Sequence, residues 1–240
     1  MAEKRKKFTF QVIYSDKDIM ISNKPAGLLT VPVKDMPGIS LQQLVQQEFG
    51  VKARPVHRID RYTSGIVAFA LNKTSYTELV RQFRSHEPDR VYLALVRGIV
   101  EQDQGTLIHY MKLIKKGFRN VLVKNPEEGT QAVLHYEVVE RFADTTLVRI
   151  ALQTGLKNQI RVQFEAIGHP LVGDRHYHEP EEKEAAINRQ ALHAAHLAVT
   201  HPATGKRMFF SCDPPKDMER LIEVYRKKRE KRQSKGKSSE

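Results

Sequence analysis

The segment His57-Arg58-Ile59-Asp60-Arg61-Tyr62-Thr63-Ser64-Gly65 sets one carboxylate between two guanidinium groups. Such neighbours lower a carboxylate pKa and keep the group ionised, the state that a nucleophile or electrostatic stabiliser needs and a general acid does not. The segment lies between Pro55 and an apolar run that begins at Gly65, so a loop or strand entry at a sheet edge is expected, a common place for a site. With extended backbone, Arg58 and Asp60 face one way and His57, Ile59 and Arg61 the other. An ordinary Asp–Arg ion pair beside the Thr63-Ser64-Gly65 turn accounts for the same residues. On this segment alone it is the better explanation, because ion pairs far outnumber catalytic carboxylates.

A second cluster, TGLKNQIRVQFEAIGHPLVGD, begins at Thr154 and places Gln159 and Arg161 in the first turn of a helix whose N-terminal dipole favours anions. Arg161 could meet Asp60 or a phosphate; a surface arginine on an amphipathic helix is the plain alternative. Ten histidines raise the question of a metal, notably His176 with His178 and His193 with His196. One cysteine, no HExxH motif and no acidic cluster of the magnesium-binding kind leave no metal site expected, and His193 suits a core strand equally well. GxGxxG, the phosphate-loop pattern GxxxxGK with Ser or Thr, and GxSxG are absent, which leaves nucleotide cofactors and serine-hydrolase chemistry unsupported.

These clusters need a framework, and the chain supplies one. FTFQVIY and KDIMISN read as a hairpin, followed by a turn at Lys24-Pro25-Ala26-Gly27. Ser40 can cap a helix that buries Leu41, Leu44, Val45 and Phe49, and residues 65–71 form a strand buried on both faces. Ser75 with Glu78 predicts a capping box for a helix to about Ser85. Four strands are expected over 90–98, 106–114, 130–141 and 145–152. Asn158 is placed to cap the short helix that carries Arg161, and Asp213 with Pro214 to open a last helix reaching about Tyr225. The architecture predicted is a single α+β domain over 8–225 with a large mixed, largely antiparallel sheet. It stands between a basic tail at 1–7 and a basic, disordered tail at 226–240.

The chain has 240 residues, 40% of them hydrophobic, enough for a core without disulfide or metal staples. No apolar run approaches bilayer-spanning length, so no membrane association is expected. A lone Cys212 and the absence of an apolar segment after MAEKRKK lead to the expectation of a reducing, cytoplasmic setting. The formal charge of +12 is concentrated at the ends: four Lys/Arg against one Glu in residues 1–7, and eight against two in 226–240. Solvated ends and phosphate-seeking arms both explain it, and charge alone slightly favours the former.

Five blocks in order, IYSDKDIMISNKPAG (13–27), HRIDRYTSG (57–65), RVYLALVRG (90–98), TGLKNQIRV with IGHPLVGD (154–174) and LHAAHLAVTHPATGK (192–206), resemble the RluA-type pseudouridine synthases, which isomerise uridine in RNA. The resemblance covers most of residues 8–220. It implies an α+β catalytic domain with a split, mixed sheet flanked by helices and a central RNA-binding cleft. It further implies that Asp60 is the nucleophile, that Arg161 is its salt-bridge partner, and that Tyr92 stacks on the target base. Arg58 matches the arginine that fills the gap left by a flipped nucleotide, and His57, Arg61 and Lys157 are expected against the RNA beside it. The chain departs from the family at GLKNQIR (155–161), where relatives usually carry GRTHQIR, and with seven residues before the first strand no S4 domain is expected in front.

The expected partner is therefore RNA, at a uridine of rRNA or tRNA, and the expected form a monomer. A catalytically silent RNA-binding protein on the same fold is the alternative, disfavoured by the retention of Asp60, Tyr92 and Arg161. A metal-dependent RNA hydrolase is disfavoured because no second carboxylate accompanies Asp60 in HRIDRYTSG. Isomerisation involves no redox step and no hydrolysis, so no cofactor is expected. Chelators should accordingly leave the rate unchanged on unstructured RNA; a loss restored by added metal would show a metal-dependent step.

Overall fold

Strands β1 (Gln11–Ser15) and β2 (Ile19–Lys24) pair antiparallel as the expected opening hairpin. The computed structural model describes residues 8–34, 38–114, 119–177 and 187–236; the tail at 1–7, His178 and residues 237–240 lie outside the described residues. The chain divides into two compact units, Met1–Pro88 with His196–Asp213 and Asp89–Ala195 with Pro214–Glu240. The sequence gives no linker at the second crossing because that boundary falls inside one strand.

The first unit continues with α1 (Leu41–Phe49), β3 (Arg54–Pro55), β4 (Ser64–Ala70) and α2 (Lys73–Arg84). Ser40 and Gln43 form a reciprocal capping box at the start of α1, whose Leu41 and Val45 are buried. Every residue of β4 is buried, as its apolar run requires, and β4 pairs antiparallel with β2 and β3. Ile19, Ile21, Ile66, Ala68 and Leu79 make the centre of this unit's core, joined by Leu197, Val199 and Phe210 from far along the chain.

In the second unit stand β5 (Asp89–Arg97), β6 (Gln104–Ile114), β7 (Arg119–Val123), β8 (Thr130–Arg141), β9 (Thr145–Leu152) and α3 (Gln159–Ala166). Its strands lie in the order β5-β9-β8-β6-β7, every neighbour antiparallel. Strand β10 (Leu192–Thr200) begins in this unit and ends in the first, where β11 (Arg207–Ser211) pairs antiparallel with it. Helix α4 (Lys216–Gly236) returns to the second unit, burying Met218, Leu221 and Ile222 against Leu95, Phe142 and Leu147. The α+β class and the largely antiparallel pairing are as the sequence led one to expect.

Four helix ends differ from expectation: at α3, Asn158 holds the N-cap position but its side chain makes no capping hydrogen bond. Helix α2 is capped by Asn72, whose side chain accepts from Ser75 N at 2.9 Å. Ser75 is itself buried and gives its hydroxyl to Asp18, while Glu78 pairs with Arg81. Helix α4 starts after Pro215 rather than at Pro214, because a residue followed by proline is held out of the helical region. The tail expected to be disordered is helical through Gly236. Its composition offers little to bury, but acids on β8 and in the turn after it receive its charges: Arg226 bonds Glu140 at 2.9 Å, Arg229 bonds Glu140 at 3.1 Å, and Lys228 bonds Asp144.

Removal of residues 226–240 is therefore expected to cost about 1–2 kcal/mol of unfolding free energy, the sum of a few half-exposed ion pairs. Urea unfolding of both chains measures it, and coincident curves would show that the helix end contributes nothing to stability.

Candidate active site

The peptide around Asp60 is held from below. Lys24, at 0% exposure, donates through Nζ to the carbonyls of Pro25 (3.0 Å), Leu28 (2.7 Å) and Arg61 (3.1 Å). Gly27 N also donates to Arg61 O at 2.8 Å, and the backbone there has φ +91°, which a side chain would resist. One residue before Asp60, the Thr30 hydroxyl donates to Ile59 O at 2.8 Å and accepts from Ile59 N at 3.3 Å. Thr63 N closes the turn on Asp60 O at 3.1 Å. The residues on both sides of the half-buried Asp60 are thus pinned by buried groups of the same unit.

The flanking residues separate into two kinds. Arg58 is exposed and has no hydrogen bond or ion pair to another described residue, so the Arg58–Asp60 pair of an extended segment is not formed. Arg61 is exposed, with Nε on Gly27 O at 3.0 Å and its guanidinium over the Tyr62 ring. His57 belongs to the framework: Nε2 accepts from Ala68 N at 3.0 Å, and the ring stacks on Phe83 with centroids 4.7 Å apart.

Arg161, Tyr92 and Lys157 stand in the second unit. Arg161 is 8% exposed and meets Asp174, 3% exposed, edge to edge: Nε to Oδ2 at 2.6 Å and Nη2 to Oδ1 at 2.8 Å. This is the bidentate geometry that makes arginine–carboxylate pairs strong. Burial pushes the Asp174 pKa up, but the hydrogen bonds and charge of Arg161, with the amides of His176 and Tyr177, outweigh it and hold the carboxyl below its ordinary value. Lys157 is exposed on the turn before α3. Gln159, expected in an anion-binding first turn, is buried; its Oε1 accepts from Thr154 Oγ1 and Leu156 N and so starts the helix.

Tyr92 is buried on β5, opposite Ile150 of β9. Arg90, two residues earlier on the same strand face, donates from Nη2 to the carbonyls of Leu152 (3.4 Å) and Gln153 (3.1 Å). Its Nη1 lies 2.2 Å from where a Cβ at residue 155 would stand, so a side chain there would have to displace the Arg90 guanidinium. Lys24, Thr30, Arg90 and Asp174 were not singled out from the sequence; a lysine ending an apolar strand and an aspartate ending IGHPLVGD were the available signals.

One cluster of metal-ligand type occurs among the described residues: Asp16, Asp18 and His201. Its donors and acceptors are matched internally. Asp16 accepts from Tyr14 Oη, from the amides of Asp18 and Ile19, and from His201 Nε2; Asp18 accepts from Asn72 and Ser75; His201 Nδ1 accepts from Ala203 N and Thr204 N. The chemistry is that of a hydrogen-bonded clasp joining two turns of the first unit.

The family model described as RNA pseudouridylate synthase matches residues 18–166, a span that contains Asp60, Tyr92 and Arg161. The chain belongs to the RNA pseudouridylate synthase family. It is 41% identical over 204 residues to the dual-specificity RNA pseudouridine synthase RluA of Yersinia pestis, covering 84% of this chain and 98% of the relative. It is 38% identical to the uncharacterized RNA pseudouridine synthase YlyB of Bacillus subtilis, covering 90% and 73%. The fold is shared with human RNA pseudouridylate synthase domain containing 1, with TM-score 0.72, 23% identity and coverage of 91% and 95%. A pseudouridine synthase is an isomerase acting on RNA, and these relatives do not favour the silent RNA-binding alternative. No helix among the described residues is long and apolar enough to cross a membrane.

In this pseudouridine synthase the Arg161–Asp174 pair sets a pH dependence. The folded-state pKa of Asp174 is depressed below its unfolded value of about 3.9, so the pair's contribution is complete above that pH and is lost as pH falls through the folded value. Asp174→Asn should cost about 3–5 kcal/mol at pH 7, since it leaves a buried guanidinium without its counter-charge. The difference from the unsubstituted chain should narrow below about pH 4. Urea unfolding at pH 7 and pH 3 tests this, and an equal difference at both would refute it.

Proposed function

We propose that the chain isomerises uridine to pseudouridine in rRNA or tRNA, with Asp60 as nucleophile, Tyr92 stacked on the target base and Arg161 as the catalytic arginine. The observation that carries the reading is the grip of Lys24 and Thr30 on the two peptides beside Asp60, within a chain of this family. A carboxylate that must meet one sugar or base atom gains from a backbone that cannot relax, since positioning is a large part of catalysis.

The reaction breaks the glycosidic bond, turns the uracil within the pocket and forms a carbon–carbon bond to the same sugar. Composition is unchanged. An ionised carboxylate near the anomeric carbon is the central requirement, and attack on the sugar, attack on the uracil ring and removal of a sugar proton are three ways for Asp60 to meet it. The base must first leave the stack, at a cost of a few kcal/mol. Stacking on Tyr92 and insertion of Arg58, exposed and unengaged among the described residues, offset that cost. Arg61 and Lys157, both exposed, supply charge toward phosphate. His57 is left out of this surface because its ring is committed to Ala68 and Phe83. We place the reaction in the cytoplasm with a monomer as the working form; the lone Cys212 suits a reducing compartment.

Asp60→Asn and Asp60→Ala should abolish pseudouridine formation while leaving RNA affinity within about threefold, because phosphate contacts set affinity and the carboxylate acts on the bond. Pseudouridine mapping on rRNA and tRNA substrates offered separately, with a filter-binding titration, measures both. Substantial product from Asp60→Ala would remove it as the nucleophile.

A further inference from the structure

Asn158 has φ 58°, one of two non-glycine residues at positive φ among the described residues. Asparagine tolerates that conformation better than most residues, but glycine adopts it without penalty. At the start of α3, its usual contribution would be a hydrogen bond capping the helix, and the side chain makes none. The carboxamide is used elsewhere. Oδ1 accepts from Arg161 Nη1 at 3.1 Å, and Nδ2 donates to Tyr177 Oη at 3.0 Å.

Tyr177 extends the arrangement. Its hydroxyl donates to Asn120 O on β7 at 3.3 Å, and Asn120 Nδ2 donates back to Lys157 O at 2.6 Å, next to Asn158 in the chain. The Tyr177 ring also lies against the guanidinium, 4.9 Å from Cζ to the ring centroid. The carboxamide, the phenol, the strand and the turn therefore form a closed circuit that meets Arg161 by a hydrogen bond at Nη1 and by the Tyr177 ring. Asp174 fixes the opposite edge, Nε with Nη2.

We propose that Asn158 and Tyr177 are positioning residues that fix the orientation of the Arg161 guanidinium for the isomerisation; this rests on the reading of Arg161 as the catalytic arginine. The bidentate bond to Asp174 holds one edge of the guanidinium, and the Asn158 carboxamide holds Nη1 on the other side without adding negative charge. The circuit also gives a physical reason for the chain's departure from the family at this turn. Where relatives usually carry histidine, an asparagine supplies an acceptor whose protonation does not change across the working pH range.

The test compares Asn158→Gly, Asn158→His, Tyr177→Phe and the Asn158→Gly/Tyr177→Phe double variant with the unsubstituted chain, reading single-turnover pseudouridine formation, RNA affinity and urea unfolding. Asn158→Gly keeps the backbone conformation, so the chain stays folded; the rate should fall about 10- to 100-fold, the value of a lost bond to a charged group, with affinity within about twofold. Tyr177→Phe, which keeps the ring, should slow the reaction less, and the double variant should be no slower than Asn158→Gly, because the Tyr177 hydroxyl acts through the Asn158 carboxamide. Asn158→His should recover most of the rate above about pH 7 and lose it below about pH 6, where imidazolium no longer accepts from Arg161. A rate for Asn158→Gly within twofold of the unsubstituted chain, or additive losses in the double variant, would overturn the inference while leaving the proposed function standing. No pseudouridine from the unsubstituted chain on rRNA or tRNA would overturn both.

Discussion

A charge withdrawn from water has to be met inside the protein by opposite charge or by dipoles, and the fold around both candidate clusters follows from that requirement. In the first unit the withdrawn charge is the Lys24 ammonium, and carbonyls from Pro25, Leu28 and Arg61 turn toward it. Carbonyls can converge this way only if the 24–28 turn and the Asp60–Arg61 peptide hold fixed positions, so the stabilisation of the lysine and the rigidity of the loop are one fact. In the second unit the withdrawn charge is the Arg161 guanidinium, met by the Asp174 carboxylate, whose oxygen also draws in the amides of His176 and Tyr177.

The two solutions differ in kind. A lysine surrounded by carbonyls organises backbone, because each N–H needs one oxygen and the backbone has many to offer. An arginine facing a carboxylate organises side chains, because its planar fork matches one partner at a defined angle. The first arrangement sets where the Asp60 peptide lies, and the second sets how Arg161 is turned.

How much of this was legible in the sequence depended on range. Asp60 stood out because its neighbours in sequence are charged, and Arg161 because it opens a short amphipathic helix; the five ordered blocks supplied their roles. Ser40 was readable as a cap because its partner Gln43 is three residues away. Lys24 reads in the sequence only as part of a turn because one of its decisive partners, Arg61, is 37 residues distant, and no local pattern encodes a carbonyl that far off. In the sequence Ser75 reads as a cap because Ser with Glu three residues on is the standard signal; that signal does not show that Asp18 takes the Ser75 hydroxyl, leaving the role to Asn72. The basic tail looked disordered for the same reason: Glu140 and Asp144, which receive its charges, lie more than eighty residues upstream.

The passage of β10 from one unit to the other has a consequence for how the chain is made. Leu197, Val199 and Phe210 belong to the same core cluster as Ile19 and Ile21, roughly 180 residues earlier. A nascent chain emerging from the ribosome therefore carries an incomplete first core throughout synthesis of the second unit, with β2 and β4 lacking these late apolar partners. Such distant contacts carry a loop-closure cost and slow the search for the native state. The apolar face of β4, formed early and covered late, is the surface on which aggregation or chaperone capture would act first.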